Sequence, residues 1–323
     1  MTARDTMAAR LIRTRGAAMT PEQVLAHPPK VLSDVQREAY FRDGYLLLER
    51  FVPQDWLATL RGLSEHFIDQ SRSRAASGEE FDLEPDHCAT APRLRRLNQP
   101  VARHLDYWRF ASDSCITDLA EDLLGPNVMF HHSKLNFKWS DGGEEVKWHQ
   151  DIQYWPHTNY SVLTIGVYLE DVDESMGPMG VIPGAHQGEL FDLYDEYDCW
   201  SGAISDGDLA RVPVEKAVYL QGPAGSVTVH HCRMIHGSKP NTNSARSRPL
   251  LLNAFSSADA LPVTAYNYPS THNGELVRGE RPRWIHFDPR PCLLPPDWSG
   301  GYTSIFALQQ AEEQEPQAAA AGG

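Results

Sequence analysis

Cysteine is scarce in this chain and has no pattern. Five residues, Cys88, Cys115, Cys199, Cys232 and Cys292, are scattered over 323 positions. An odd number without a C-x-x-C pair excludes a disulfide framework and a zinc ribbon, and fits a reducing compartment, the cytoplasm. Positive charge is short too: 29 Lys and Arg against 43 Asp and Glu leave a net charge of −14. Binding to nucleic acid needs clustered cations. The densest cluster, Arg93, Arg95 and Arg96, is short and reads as a solvated face or a local ion-pair donor, so no nucleic-acid partner is expected. The same acidity makes a polyanion such as a CoA thioester a poor substrate unless a local basic pocket overrides it. No apolar run approaches the ~20 residues that cross a bilayer, and no membrane partner is expected. The early arginines (Arg4, Arg10, Arg13, Arg15) are not followed by the apolar stretch of a secretory signal.

Repeats, Gly/Ser linkers and charge blocks are missing as well, which favours one domain over two. Residues 1–30 lack apolar periodicity and read as a partly ordered arm, and 309–323, all Gln, Glu, Ala, Gly and Pro, as a disordered tail. A single domain over 31–308 is expected between them. Its first third is helical. Ser33 with Gln36 forms a capping-box pattern for a helix through Phe41, Gly44 ends it, and Tyr45 to Leu48 is a strand. After Pro53, the spacing of Trp56, Leu57, Leu60, Leu63 and Phe67 predicts a second helix, and Ile116 to Leu124 a third. From Val128 the pattern changes to strands: 128–139, 162–170, 180–182, 217–220, 226–230 and 250–255. Short strands with Gly/Pro turns imply a mainly β fold with flanking helices, a sandwich or jelly roll.

The chemistry concentrates in an H-x-D triplet, His149-Gln150-Asp151, and in His236, 236 − 151 = 85 positions later. Residues two apart on an extended backbone project to the same side, so His149 and Asp151 can share a ligand. Two histidines and a carboxylate on one face of a metal, with the remaining positions open, is the ligand set of non-haem Fe(II) oxygenases. Trp148, Ile152, Tyr154 and Trp155 surround the triplet with an apolar wall that would exclude water. His131, His230 and His231 are rival ligands, but none has a carboxylate two residues on, and they read as core or supporting histidines. His186 reads as a loop support.

Several segments carry a resemblance. WHQDIQYWP (148–156), MGVIPGAHQG (179–188), HGSKPN (236–241) and RPLLLNAFSSAD (248–259) resemble successive motifs of the phytanoyl-CoA dioxygenase family, iron- and 2-oxoglutarate-dependent oxygenases. LSDVQREAYFRDGYLLLERF (32–51) is similar to that family's entry segment. The resemblance implies a double-stranded β-helix, a cupin-like jelly roll, with core at about 128–259 and N-terminal helices packed on it. It also implies Fe(II) on His149, Asp151 and His236, with 2-oxoglutarate and O2 as co-substrates. The reaction implied is hydroxylation or desaturation of an unactivated C–H in a small molecule, with succinate and CO2 released. Halogenating enzymes of this class lack the carboxylate ligand, so Asp151 favours hydroxylation. A secondary-metabolic role is in keeping with the family.

Around this centre, Arg248 at the head of the strand LLLNAF is the expected clamp on the distal carboxylate of 2-oxoglutarate, with Arg246 as its competitor. Ser238 is placed to bond the same carboxylate. Lys134, Asn136 and Lys138 alternate on one strand face; the first two are co-substrate candidates, and Lys138 reads as part of a solvent-facing stripe. Gln150 is a co-substrate or support residue, and Tyr154, Trp155 and His157 are substrate-cavity candidates. Segments 189–214 and 261–298 are the expected lids, and the acidity of the first points to a neutral or cationic small molecule. The chain is expected as a monomer or homodimer. Two other readings stay open: a non-catalytic jelly-roll binding protein, and a zinc hydrolase on the same ligands.

Overall fold

The computed structural model describes residues 18–140 and 143–300; residues 1–17 of the expected arm and the expected tail lie outside the described residues. The rest of the expected arm carries a short helix. Thr20 and Gln23 make a capping box for helix α1 (Pro21–Leu25), and Val24 is buried. The chain after it is clasped to the body: the amides of Lys30, Val31 and Leu32 donate to the Asp122 carboxylate at 2.7, 2.9 and 2.8 Å. Apolar periodicity missed this segment because a carboxylate, not an apolar stripe, holds it.

The expected Ser33–Gln36 box opens α2 (Asp34–Asp43), and Gly44 closes it at φ 81°, a left-handed cap that glycine adopts without strain. Then come α3 (Gln54–Ser71), the short α4 (Pro100–Arg103), α5 (Leu105–Ser112) and α6 (Cys115–Leu124). Twelve strands follow or separate them: β1 (Tyr45–Leu48), β2 (Phe81–Leu83), β3 (Leu94–Asn98), β4 (Val128–Asn136), β5 (Val146–Gln150), β6 (Val162–Tyr168), β7 (Met179–Val181), β8 (Val218–Leu220), β9 (Val227–His231), β10 (Ile235–Ser238), β11 (Leu250–Ser257) and β12 (Leu276–Arg278). Two antiparallel sheets result, the jelly roll that was expected. The larger runs β1-β9-β6-β11-β4-β3-β2, with β12 also on β4; the smaller runs β5-β10-β7-β8.

Strand alternation sorts the large sheet into two faces. Leu163, Ile165 and Val167 of β6, Val227 and Val229 of β9, and Leu251 and Phe255 of β11 join one core with Leu57, Leu60, Phe110, Ile116 and Leu119 from the helices. Each such fully buried side chain contributes about 1.5–3 kcal/mol. The other face, bearing Thr164, His230, Leu250, Leu252, Lys134 and Asn136, looks across to the small sheet. A β-bulge keeps β4 in step. Ala254 pairs with His132 but Phe255 with Phe130, so His131 is the extra residue and the parity of β4 changes there.

Arg93, Arg95 and Arg96 are not a solvated face. They lie at β3, where Arg95 and Arg96 are buried and Arg95 meets Glu84 at 2.9 Å. The ion-pair half of the expectation holds.

Candidate metal centre

β5 and β10 pair so that His149 and His236 are direct cross-strand partners, with ring centroids 4.1 Å apart. Gly237 permits this. A Cβ there would come within 2.8 Å of the Val146 carbonyl oxygen, so the strands could not lie as close with any side chain. Asp151 arrives differently from the sequence argument. The strand ends at Gln150, and Asp151 begins a 3-10 turn over Asp151–Gln153. The i,i+2 alternation therefore does not place it; the turn does. One Asp151 oxygen, Oδ1, sits 3.8 Å from Nε2 of both His149 and His236. The candidate ligand atoms of the three residues all lie within 4.8 Å of one another, and among the described residues no other group of three or more His, Cys, Asp or Glu does so.

The far side of each ligand is tied down. His149 Nδ1 donates to the Lys147 carbonyl at 2.8 Å and His236 Nδ1 to the Met234 carbonyl at 3.0 Å. With the proton on Nδ1, each Nε2 carries a bare lone pair turned to the shared point, the tautomer a metal needs. Burial keeps both rings neutral, pushing His149 down to about 4 and His236 well below its usual value. The second Asp151 oxygen accepts from Thr164 Oγ1 at 3.0 Å and contacts His230 Nε2 at 3.1 Å. Burial pushes the Asp151 carboxyl up, but His236, His230 and Lys134 outweigh it and hold it well below the usual carboxylate range. Thus His230 supports the carboxylate, as its lack of an i+2 acid implied.

The three residues line one cavity between the sheets, about 520 Å³ with its open mouth, together with Lys134, Asn136, Ser238 and Arg248. Arg248 is buried there beside Tyr168. Arg246 is outside, exposed and paired with Asp173. Asn136 Oδ1 accepts from Arg96 Nε at 2.8 Å. Burial brings Lys134 down to about 8.

Other expected residues fall elsewhere. Lys138 is 2% exposed, not on a solvent stripe, and donates to Ser238 Oγ at 2.7 Å. The correction follows from β4 being covered by the small sheet on the face where Lys138 was read as exposed. Gln150 is not among the cavity residues: its amide spans the Glu189 and Arg233 carbonyls, both at 3.0 Å, and accepts from Phe191 N–H at 3.0 Å. It pins the start of segment 189–214. Tyr154 packs edge-on against His149, 5.7 Å between centroids, and donates to the Gly202 carbonyl. Trp155 and His157 lie with His131 in a buried aromatic group. The acids of 189–214 do not line the cavity: Glu189 and Asp208 hold Arg211, and Asp195 caps backbone amides of its own turn. The charge of this segment therefore says nothing about the substrate. Sequence reasoning missed Thr164, whose signal is its inward parity on β6.

The phytanoyl-CoA dioxygenase (PhyH) family matches residues 40–250. The chain belongs to this family. A protein of Stutzerimonas stutzeri named "Probable alpha-ketoglutarate-dependent hypophosphite dioxygenase" is 32% identical over 292 residues, covering 88% of this chain and 99% of that protein. An ectoine dioxygenase of Sphingopyxis alaskensis is 28% identical over 232 residues, 65% of this chain and 71% of that one. The crystal structure of EctD from S. alaskensis with bound Fe shares the fold, with TM-score 0.66 and 24% identity over 82% of this chain and 93% of that one. These relatives make the chain a non-haem iron, 2-oxoglutarate-dependent dioxygenase acting on a small molecule.

Proposed function

We propose that His149, Asp151 and His236 hold the single Fe(II), that Arg248 and Ser238 anchor 2-oxoglutarate, and that the reaction is hydroxylation or desaturation of a small-molecule substrate. The observation that carries this is the bare Nε2 pair of His149 and His236 converging with Asp151 Oδ1 at the wall of a cavity that also holds a buried arginine. The donor set fits iron: two imidazoles and one carboxylate with an open side.

When bound, the iron and 2-oxoglutarate would supply the activation of O2: one oxygen atom enters succinate as CO2 leaves, and the other enters the substrate in hydroxylation or leaves as water with the two hydrogens removed in desaturation. The chain's residues do the rest. Val146, Met179, Leu250 and Leu252 keep the cavity apolar around the reacting atoms. Lys138 donates to the Ser238 hydroxyl, which leaves that hydroxyl's own proton for an acceptor in the cavity beside Arg248. Thr164 and His230 engage Asp151 Oδ2, so Oδ1 is the oxygen offered to the metal. With a carboxylate in that position, no site remains for a halide ligand.

The five free cysteines support a reducing compartment, the cytoplasm. The monomer or homodimer and the secondary-metabolic setting rest on the family resemblance alone. The relative spanning most of the chain is named for hypophosphite, which makes that anion a first substrate to assay.

The test is iron stoichiometry together with succinate release under air. The unaltered chain should bind one Fe(II) and convert 2-oxoglutarate to succinate. His236→Ala should lose both while its circular dichroism stays native, and product formed in chloride buffer should carry oxygen, not chlorine. Full activity of His236→Ala, or iron bound through His230 or His231, would refute the assignment.

A further inference from the structure

Lys134 is neither a proposed metal ligand nor part of the distal anchor of the co-substrate. It lies on the inward face of β4 beside Asp151 and His149. Among the described residues no carboxylate stands within ion-pair range of its ammonium: Asp151 attracts it from farther off, and the Tyr268 ring lies 6.0 Å away to the centroid. Buried cations are ordinarily paired. A chain of net charge −14 had ample acid to supply a partner, and it supplied Glu84 to the buried Arg95.

The charge balance of the loaded site sharpens this. Iron(II) and the 2-oxoglutarate dianion cancel. Lys134 and Arg248 line the cavity, Lys138 stands behind Ser238, and Asp151 is the sole carboxylate among the lining residues. The basic side chains in and behind the cavity outnumber that one carboxylate, and Arg248 and Lys138 belong to the Ser238 end. The surplus is at Lys134. Two residues along the same face, His132 stacks on Tyr268 at 5.2 Å and packs against Trp155 at 5.7 Å. Behind them the Nε2 atoms of His131 and His157 are buried without a described hydrogen-bond partner. The bulge at His131 brings this group to the metal side of the sheet.

We propose that the substrate is a small oxyanion, held by Lys134 against the wall of His132, Tyr268 and Trp155 with its oxidisable X–H bond turned to the metal. This rests on the dioxygenase reading above. The step balances as that reading requires: the X–H bond is replaced by X–OH, O2 supplies both that oxygen and the new carboxylate oxygen of succinate, and 2-oxoglutarate loses CO2.

The experiment uses the full chain under argon with Fe(II) and 2-oxoglutarate. The visible iron–2-oxoglutarate charge-transfer band reports the co-substrate complex by itself. Hypophosphite and, as a neutral control, dimethyl sulfoxide are then titrated by calorimetry. Hypophosphite should bind and shift the band, and dimethyl sulfoxide should not. Lys134→Met, loaded with iron and 2-oxoglutarate to the same band intensity, should bind hypophosphite at least thirty-fold more weakly, as loss of one partner of a buried charge pair predicts (~2 kcal/mol or more). Lys134→Arg should recover part of that loss. A normal band with no hypophosphite binding, or equal binding by Lys134→Met, overturns the oxyanion proposal and leaves the dioxygenase reading standing. Loss of the band in Lys134→Met overturns it too, by assigning the lysine to 2-oxoglutarate. If the unaltered chain forms no band, the dioxygenase reading itself fails, and the same titration on the metal-free chain and its Lys134→Met variant decides the oxyanion.

Discussion

Arg246 and Arg248 are two residues apart in one turn, yet their surroundings predict opposite behaviour. Arg248 is buried at the head of β11, facing the cavity, whereas Arg246 is half in solvent on Asp173. A carboxylate left without its buried cation typically costs roughly 2–5 kcal/mol, about thirty-fold to several thousand-fold in affinity. Arg248→Ala should therefore raise the KM for 2-oxoglutarate by at least about ten-fold, read from succinate release, with iron binding unchanged. Arg246→Ala should leave that KM near the unaltered value, because an exposed pair contributes ~1 kcal/mol or less to anything. The reverse ranking would move the anchor to Arg246. The sequence could present both arginines but not choose between them, since choosing needs the burial of one and the partner of the other.

At the scale of elements, the decisive contact is the approach of β10 to β5. Gly237 lies between His236 and Ser238, and a methyl group there would meet a backbone oxygen, which cannot rotate away. Gly237→Ala should therefore separate the two histidine strands and weaken iron binding about ten-fold or more, with a smaller change in thermal stability. Equal iron affinity in the variant would show that the strands tolerate the shift. Strand β5 itself was legible only as an H-x-D triplet in an apolar setting. Its five residues are too few for a periodicity signal, and Asp151 leaves the strand for a 3-10 turn that no side-chain pattern announces. The long strands β4, β6 and β11 were legible, because each alternates between the helix-covered face and the cavity. Which of those faces was closed to water was not, and so Lys138 was read as exposed. Alternation tells which side chains travel together; only the second sheet tells what covers them.

For the molecule as a whole, a large set of buried neutral histidines makes stability depend on pH. Burial holds His157 at about 4 and His131, His132 and His231 well below the usual value of 6.5. In the unfolded chain these rings take up protons near 6.5; in the folded chain they do not. Between pH 6.5 and 4 the unfolded state binds more protons, so stability rises with pH and is withdrawn on acidification. His157 alone accounts for on the order of 3 kcal/mol across that window. The metal-free chain should thus melt at least about 5 °C lower at pH 5 than at pH 7.5 in matched ionic strength, followed by circular dichroism. A flat profile would mean that the histidines are hydrated or charged in the fold. Asp151, held low, loses its contribution only at more acidic pH, outside this window.

The pairing of His149 with His236 also bears on how the molecule reaches a single arrangement. In a strand pair, a slip of one residue turns every side chain to the opposite face. A slipped β5–β10 ladder could still satisfy its backbone, and short strands have few side chains to forbid it. It could not present both imidazoles to one ion. Metal capture would therefore proofread the ladder: only the in-register form is trapped, and mispaired forms, having nothing to hold the ion, are free to open and try again.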